Sequence, residues 1–159
     1  MLPWRLKRFA KTGTRGELGR RRERRAQIFS LEEPQASQAL AVLQAEAPLV
    51  APDFLIAEVC NAAWRSARLG RISQVQVDEI AANLPRFFDT VASAAGLARR
   101  AVGIADQLDH PVYDCFYLAL AEAEQSSLVT ADMQLLGKVR DTSWEGLAIS
   151  LSEYNPASS

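Results

Sequence analysis

The chain has few of the residues that usually bind soft metals or serve as nucleophile partners. It contains one histidine, His110, and two cysteines, Cys60 and Cys115. The cysteines are far apart in apolar helical stretches and form no C-x-x-C pair, so we expect buried, reduced thiols. His110 stands before Pro111 at an expected helix start, where a turn or capping role is favoured. This composition argues against a Ser-His-Asp triad and against a zinc site.

Long apolar runs are also missing. The chain has 159 residues, of which 48% are hydrophobic and 23% charged, a composition typical of one globular domain. No run reaches the roughly 18 apolar residues that a membrane-spanning helix requires. Residues 1–15 are basic without the apolar centre of a secretory signal. We therefore expect a cytoplasmic protein that makes no membrane contact.

Acidic residues are scarce at the start of the chain. The first 30 positions hold no Asp and ten Lys/Arg against Glu17 and Glu23, a net charge of +8. The whole chain has 18 basic and 19 acidic residues, so the positions after 30 hold eight basic and seventeen acidic residues, a net charge of −9. Blocks of like charge are usually solvated, and some bind nucleic acid. We therefore divide the chain into an atypical basic segment (1–30), a domain (31–154) and a loose tail (155–159).

Within the domain, helical patterns alternate with short apolar segments. The predicted helices cover residues 35–47, 52–69, 94–108 and 133–140, with one more helix after the 109–111 turn and another that Ser73 caps. In the helix capped by Ser73, we expect Val75, Ile80 and Leu84 to turn inward, with Val77 as a further candidate. The predicted strands cover residues 49–51, 87–91, 128–130 and 147–149. Strands this short between helices indicate an α/β fold with a short central parallel sheet flanked by helices. Ligands of such folds gather at the carboxyl ends of strands, where Asp132 lies.

Three carboxylates stand in apolar surroundings. Glu58 interrupts an apolar helix, Asp114 opens the apolar run of the helix after the 109–111 turn, and Asp132 follows the strand 128–130. Burying an unpaired carboxylate is costly, so three of them suggest a shared cation. An all-oxygen cluster with no histidine partner suits a hard ion, Mg²⁺ or Mn²⁺, and points to phosphate chemistry.

Each carboxylate also has an ordinary structural explanation. Glu58 and Asn61, three residues apart, could form the solvent face of an amphipathic helix. Asp114 lies in a first helical turn, where the helix dipole favours negative charge. Asp132 could cap the helix that follows it. The prediction of a metal site therefore depends on the three occurring together.

The motifs PDFLIAEVCNA (52–62), YDCFYLALA (113–121) and LVTAD (128–132) occur in a specific order and spacing. Over residues 32–151 the chain resembles the PIN domain of the VapC family of toxin ribonucleases. The resemblance implies a PIN-like fold in which Glu58, Asp114 and Asp132 are catalytic, metal-binding carboxylates. Thr130 would be a neighbouring polar residue, and Asn61 would support the ligands from behind.

The same resemblance implies a function. Family members cleave RNA with Mg²⁺, or Mn²⁺ in its place, and are neutralised by a small antitoxin protein. Homodimers are common among similar proteins. An alternative is a catalytically inactive PIN-like protein that binds an antitoxin or RNA. A helical nucleic-acid-binding regulator leaves the three carboxylates unexplained.

The N-terminal segment departs from the family. Such PIN domains begin with a strand ending in an Asp-Ala-Ser-like motif whose Asp is a metal ligand, whereas here the arginine-rich segment 20–28 stands in its place. Read one nucleotide later, the codons of Arg20 to Ile28 can spell Val-Asp-Ala-Ser-Val-Ala-Leu-Lys followed by Tyr or Phe. A frame-shifted reading is therefore our interpretation. A basic RNA-binding arm and an arginine-rich targeting or membrane-surface segment are the alternatives.

Overall fold

The computed structural model describes residues 48–154, the buried helical residue Val42 and the backbone of residues 5–8. We number its elements β1 (Arg5–Arg8), β2 (Leu49–Pro52), α1 (Phe54–Arg68), α2 (Gln74–Asn83), β3 (Thr90–Ala92), α3 (Ala94–Leu108), α4 (Val112–Ala123), β4 (Ser127–Thr130), α5 (Met133–Val139) and β5 (Ala148–Ser150). The predicted helix 35–47, apart from Val42, lies outside the described residues. So do the arginine-rich segment 20–28 and the tail 155–159.

The described strands form one sheet in the order β3-β2-β1-β4-β5. β2 pairs with β3, and β4 pairs with β5, in parallel, as expected for strands joined by helical crossovers. The α/β fold class is confirmed. The central strand differs from the expected parallel sheet, because β1 runs antiparallel to both β2 and β4.

The central position of the sheet is occupied by the sequence Arg-Leu-Lys-Arg. Central strands covered by helices are usually continuous apolar runs, so three basic residues of four are unusual there. We expected the chain to lack a central strand. The structure corrects this, but the strand that fills the place contains no carboxylate.

α1 faces the core through one apolar stripe. Its buried residues, Leu55, Val59, Ala62 and Ala63, repeat at helical spacing. At its start the Phe54 ring makes edge contacts with three rings of α4, with centroid distances of 6.0 Å to Tyr113, 5.4 Å to Phe116 and 5.6 Å to Tyr117. These contacts hold the first turn of α1 against the N-terminal half of α4.

The second helix begins as the sequence predicts but presents a different face. Ser73 forms a reciprocal capping box with Gln76. Val77 and Ile80 are buried, whereas Val75 is 65% exposed, so the prediction that Val75 turns inward is wrong. Val77 lies two positions after Val75, about 200° around the helix, and only one side of α2 faces the core.

The strand predicted over 87–91 starts later than expected. A short 3₁₀ turn, Leu84–Phe87, follows α2, and β3 begins at Thr90. Phe87 and Phe88 are buried in the core instead of lying in the sheet. Pro85 favours this turn because its ring fixes φ and removes a backbone donor.

α4 is the central helix of the core. Residues 117–121 are almost completely buried, together with Cys115. Both cysteines are free thiols, and Cys60 is half-buried, where we expected burial. Among the described residues no helix combines the length and apolarity needed to span a membrane.

Candidate metal site

Asp114 lies in the first turn of α4 and is 9% exposed. Its Oδ2 lies 2.7 Å from Nε2 of His110, which stands four residues before Asp114 and two residues before the helix begins. The helix dipole favours negative charge at this end of α4. The largely buried carboxylate of Asp114 is therefore stabilised by the imidazole of His110 and by the N-terminal end of α4.

Asp132 caps α5 from the carboxyl end of β4. Its Oδ1 accepts hydrogen bonds from the backbone N–H groups of Gln134 at 2.9 Å and Leu135 at 3.0 Å. The hydroxyl Oγ1 of the buried Thr130 accepts a bond from the Asp132 backbone N–H at 3.1 Å. Asp132 thus caps the helix that follows it, as the structural explanation predicted. The cap positions its carboxylate at the strand end where α/β proteins bind ligands.

These side chains form a cluster of metal-binding groups. His110, Asp114 and Asp132 each offer one ligand atom, and these atoms all lie within 4.8 Å of one another. Two carboxylates and one imidazole suit a divalent cation. The sequence predicted a cluster of carboxylates alone, and the structure places the imidazole of His110 beside Asp114 and Asp132. The four-residue spacing of His110 and Asp114 at a helix start was the sequence signal for their contact.

Glu58 is not part of this cluster. Its carboxylate is exposed on α1 and accepts a hydrogen bond at 2.8 Å from the hydroxyl of Tyr117, which is 1% exposed. Tyr117 lies three residues after Asp114, on the same side of α4. Glu58 is thus held at the contact between α1 and α4 by Tyr117, which lies about one helical turn along α4 from Asp114. Asn61 is exposed on the next turn of α1.

The other end of α4 carries a separate ion pair. Arg100 of α3 donates two hydrogen bonds to the Glu122 carboxylate, and the indole of Trp144 donates a third at 2.9 Å. Hydrogen bonding from Arg100 lowers the pKa of Glu122 more than burial raises it, and Trp144 lowers it further. Eight residues separate Glu122 from Asp114, about 12 Å along the helix, so this group supports the packing of α3 and α4 and not the cluster.

The surface beside the cluster includes exposed apolar side chains. Tyr113, next to Asp114, is 64% exposed, and Met133, next to Asp132, is 70% exposed. Phe54 supports the Tyr113 ring edge-on. An exposed ring held in this way offers a flat face to a nucleic-acid base.

Comparisons with known proteins agree with this geometry. The family model described as PIN domain matches residues 26–140. Ribonuclease VapC3 of Pyrobaculum aerophilum is 33% identical over 115 residues, which cover 71% of this chain and 87% of that protein. Both findings confirm the resemblance inferred from the three motifs. The chain therefore belongs to the PIN domain family and is a relative of the VapC ribonucleases.

Proposed function

We propose that this chain is a metal-dependent endoribonuclease of a toxin–antitoxin pair, with Glu58, Asp114 and Asp132 as its acidic site residues. The observation that carries the proposal is the cluster of Asp114 and Asp132, whose ligand atoms lie within 4.8 Å of each other in a chain of the PIN domain family. The name of its relative, a ribonuclease, supports RNA as the substrate.

The residues of the proposed site have different roles. Asp114 and Asp132 would hold the ion, Mg²⁺ or Mn²⁺, and Glu58 would complete the acidic set from α1. A bound divalent ion supplies positive charge to the phosphodiester oxygens and acidifies a nearby water. Tyr117 fixes the direction of Glu58 by its 2.8 Å hydrogen bond, and Thr130 fixes the backbone before Asp132. Without the ion these neighbouring carboxylates would repel each other.

The proposal includes a partner. Such a toxin would be held by a small antitoxin whose basic side chain pairs with the acidic cluster and competes with the ion. The surface from residue 34 to Trp64 is the proposed groove. Trp64 at its end is 53% exposed, and residues 34–47, apart from Val42, lie outside the described part of the chain.

The activity of the chain as written is proposed to be weak. The family model begins its match at residue 26, after most of the arginine-rich segment. The strand that occupies the centre of the sheet, Arg5–Arg8, contributes no acidic residue. A site with one ligand fewer binds its ion less tightly.

Asp114→Asn tests the site directly. The substitution keeps the size of the side chain and removes one ligand charge, so we expect Mg²⁺- or Mn²⁺-dependent cleavage of RNA to fall by about a hundredfold. Cleavage is measured on a labelled RNA pool at high protein concentration, with and without EDTA, and metal affinity is measured by calorimetry.

Asp109→Asn is the matched control. Asp109 lies five residues before Asp114, its side chain is fully exposed, and its partner is Lys138 at 3.2 Å. Its φ of 46° is a left-handed conformation that Asn also tolerates. The control should cleave RNA like the original chain. Cleavage that survives EDTA, or equal activity in both variants, contradicts the proposed metal-dependent function.

A further inference from the structure

His110 is fixed at the cluster by its own backbone and by its neighbours. It follows the left-handed residue Asp109 at the end of α3, and its backbone N–H donates to the carbonyl of Ala105 at 3.2 Å. Pro111 follows it and restricts its backbone. The side chain is 5% exposed, and Nε2 points to Asp114 Oδ2 at 2.7 Å. The position of the imidazole is therefore set before any ion binds.

The spacing of the three ligand atoms suits one shared ion. Two ligands at about 2.1 Å from the same ion lie about 3 to 4 Å apart, depending on the angle between them. The three atoms all lie within 4.8 Å of one another. Each pair would therefore close by at most about 1 to 2 Å to share one ion. They come from three places in the fold: the turn before α4 for His110, the first turn of α4 for Asp114, and the carboxyl end of β4 for Asp132.

Resting on the proposed function, we infer that Nε2 of His110 is a ligand of the site's ion and makes this chain prefer Mn²⁺ or Co²⁺ over Mg²⁺. Imidazole nitrogen binds first-row transition ions well, whereas Mg²⁺ prefers oxygen ligands and keeps its waters. A ring that binds the ion through Nε2 carries its remaining proton on Nδ1. The hydrogen bond to Asp114 Oδ2 is then replaced by a common ion.

A positioning role predicts a different pattern. If His110 only orients Asp114 through the hydrogen bond, removing the imidazole weakens all divalent ions alike. If His110 is a ligand, its removal weakens Mn²⁺ and Co²⁺ and leaves Mg²⁺ nearly unchanged. The ratio of the affinities separates the two roles.

The experiment uses the untagged full chain loaded with Mn²⁺. His110 is its only histidine, so an imidazole ¹⁴N coupling in pulsed electron paramagnetic resonance can come from no other residue. We expect that coupling in the original chain and in Asp109→Asn, and its loss in His110→Ala and His110→Asn. By calorimetry, Mn²⁺ affinity should fall about tenfold or more in the His110 variants and Mg²⁺ affinity less than about threefold.

The outcomes distinguish this inference from the proposed function. Bound Mn²⁺ without nitrogen coupling in the original chain overturns the ligand role and leaves a carboxylate-bound ion for RNA cleavage. Equal losses of Mn²⁺ and Mg²⁺ affinity also overturn it in favour of positioning. Failure of the original chain to bind either ion overturns both proposals. The coupling in the original chain decides the matter even if the His110 variants do not fold.

Discussion

Asp132 combines a structural and a proposed chemical role in one residue. Its Oδ1 accepts two backbone hydrogen bonds at the start of α5, and the same side chain contributes to the cluster with His110 and Asp114. A cap requires an oxygen acceptor, which Asn also provides, whereas an ion benefits from the negative charge. The two roles can therefore be separated by substitution.

We predict that Asp132→Ala lowers the free energy of unfolding by about 1 kcal/mol in the absence of metal, because the cap is lost. Asp132→Asn should keep most of that stability while losing metal affinity as strongly as Asp132→Ala. Urea unfolding and calorimetry measure the two effects, with Asp106→Asn, at an exposed carboxylate of α3, as control. Equal stability of the Ala and Asn variants would count against the cap, and full metal affinity in Asp132→Asn would count against the ligand.

At the scale of elements, α4 connects the site to the core. Its N-terminal end carries Asp114, its middle carries Tyr117, which binds Glu58 of α1, and its C-terminal end carries Glu122, which binds Arg100 of α3. Arg100 also lies 5.7 Å from the ring centre of Trp144. The polar contacts at both ends fix the rotation and the register of this buried helix.

The Glu122 contact predicts a pH-dependent contribution to stability. The folded pKa of Glu122 lies below its usual 4.5, so the stabilisation is present above that pH and is lost as the pH falls through the lowered pKa. Glu122→Gln should unfold at a lower temperature than the original chain at pH 7, by a few degrees or less, because the Arg100 side chain is 48% exposed and the pair is screened.

That difference should narrow below pH 4.5, where the original carboxyl also becomes neutral. Thermal unfolding followed by circular dichroism at a series of pH values measures it. Glu124→Gln, two residues later at an exposed position, is the control and should show no such trend. A difference that is constant with pH would mean that packing, and not the ion pair, sets the effect of Glu122.

For the whole molecule, we propose that the centre of the sheet limits both stability and the number of acidic ligands. β1 lies between the two parallel strand pairs, β2–β3 and β4–β5, and no other described strand connects these pairs. Three of its four residues are basic. A central strand of the family type would bring apolar side chains and one further carboxylate to this position.

We predict that replacing residues 20–28 by Val-Asp-Ala-Ser-Val-Ala-Leu-Lys-Tyr raises both stability and metal-dependent RNA cleavage, whereas deleting residues 1–30 does not. The same replacement with Asn in place of its Asp should raise stability but not cleavage, because it supplies the apolar strand sequence of the family without the ligand. Urea unfolding and the RNA assay measure the two gains. If the chain as written cleaves RNA as fast as the repaired chain, the missing-ligand argument is wrong, and Glu17, Glu23 or Asp141 would have to supply the oxygen.

The sequence by itself determined the family and the order of the elements from β2 onward. The bounds of α3 agree with the prediction to the residue, and the helix cap at Ser73 and the strand before Asp132 are also as predicted. Such features depend on residues close together in the chain, on helical periodicity, caps and short apolar runs. The three motifs were sufficient to identify the family because their order and spacing can be read directly from the sequence.

Only the tertiary structure decided which side chains meet. It brought His110 to Asp114 and Asp132, and it placed Glu58 on Tyr117 outside that cluster. It also turned Val75 outward, since the core accepts one face of α2. Strand direction at the centre of the sheet was likewise undetermined, because the pairing of β1 with β2 and β4 joins residues more than 40 positions apart. Contacts between distant elements depend on packing, which local sequence patterns do not specify.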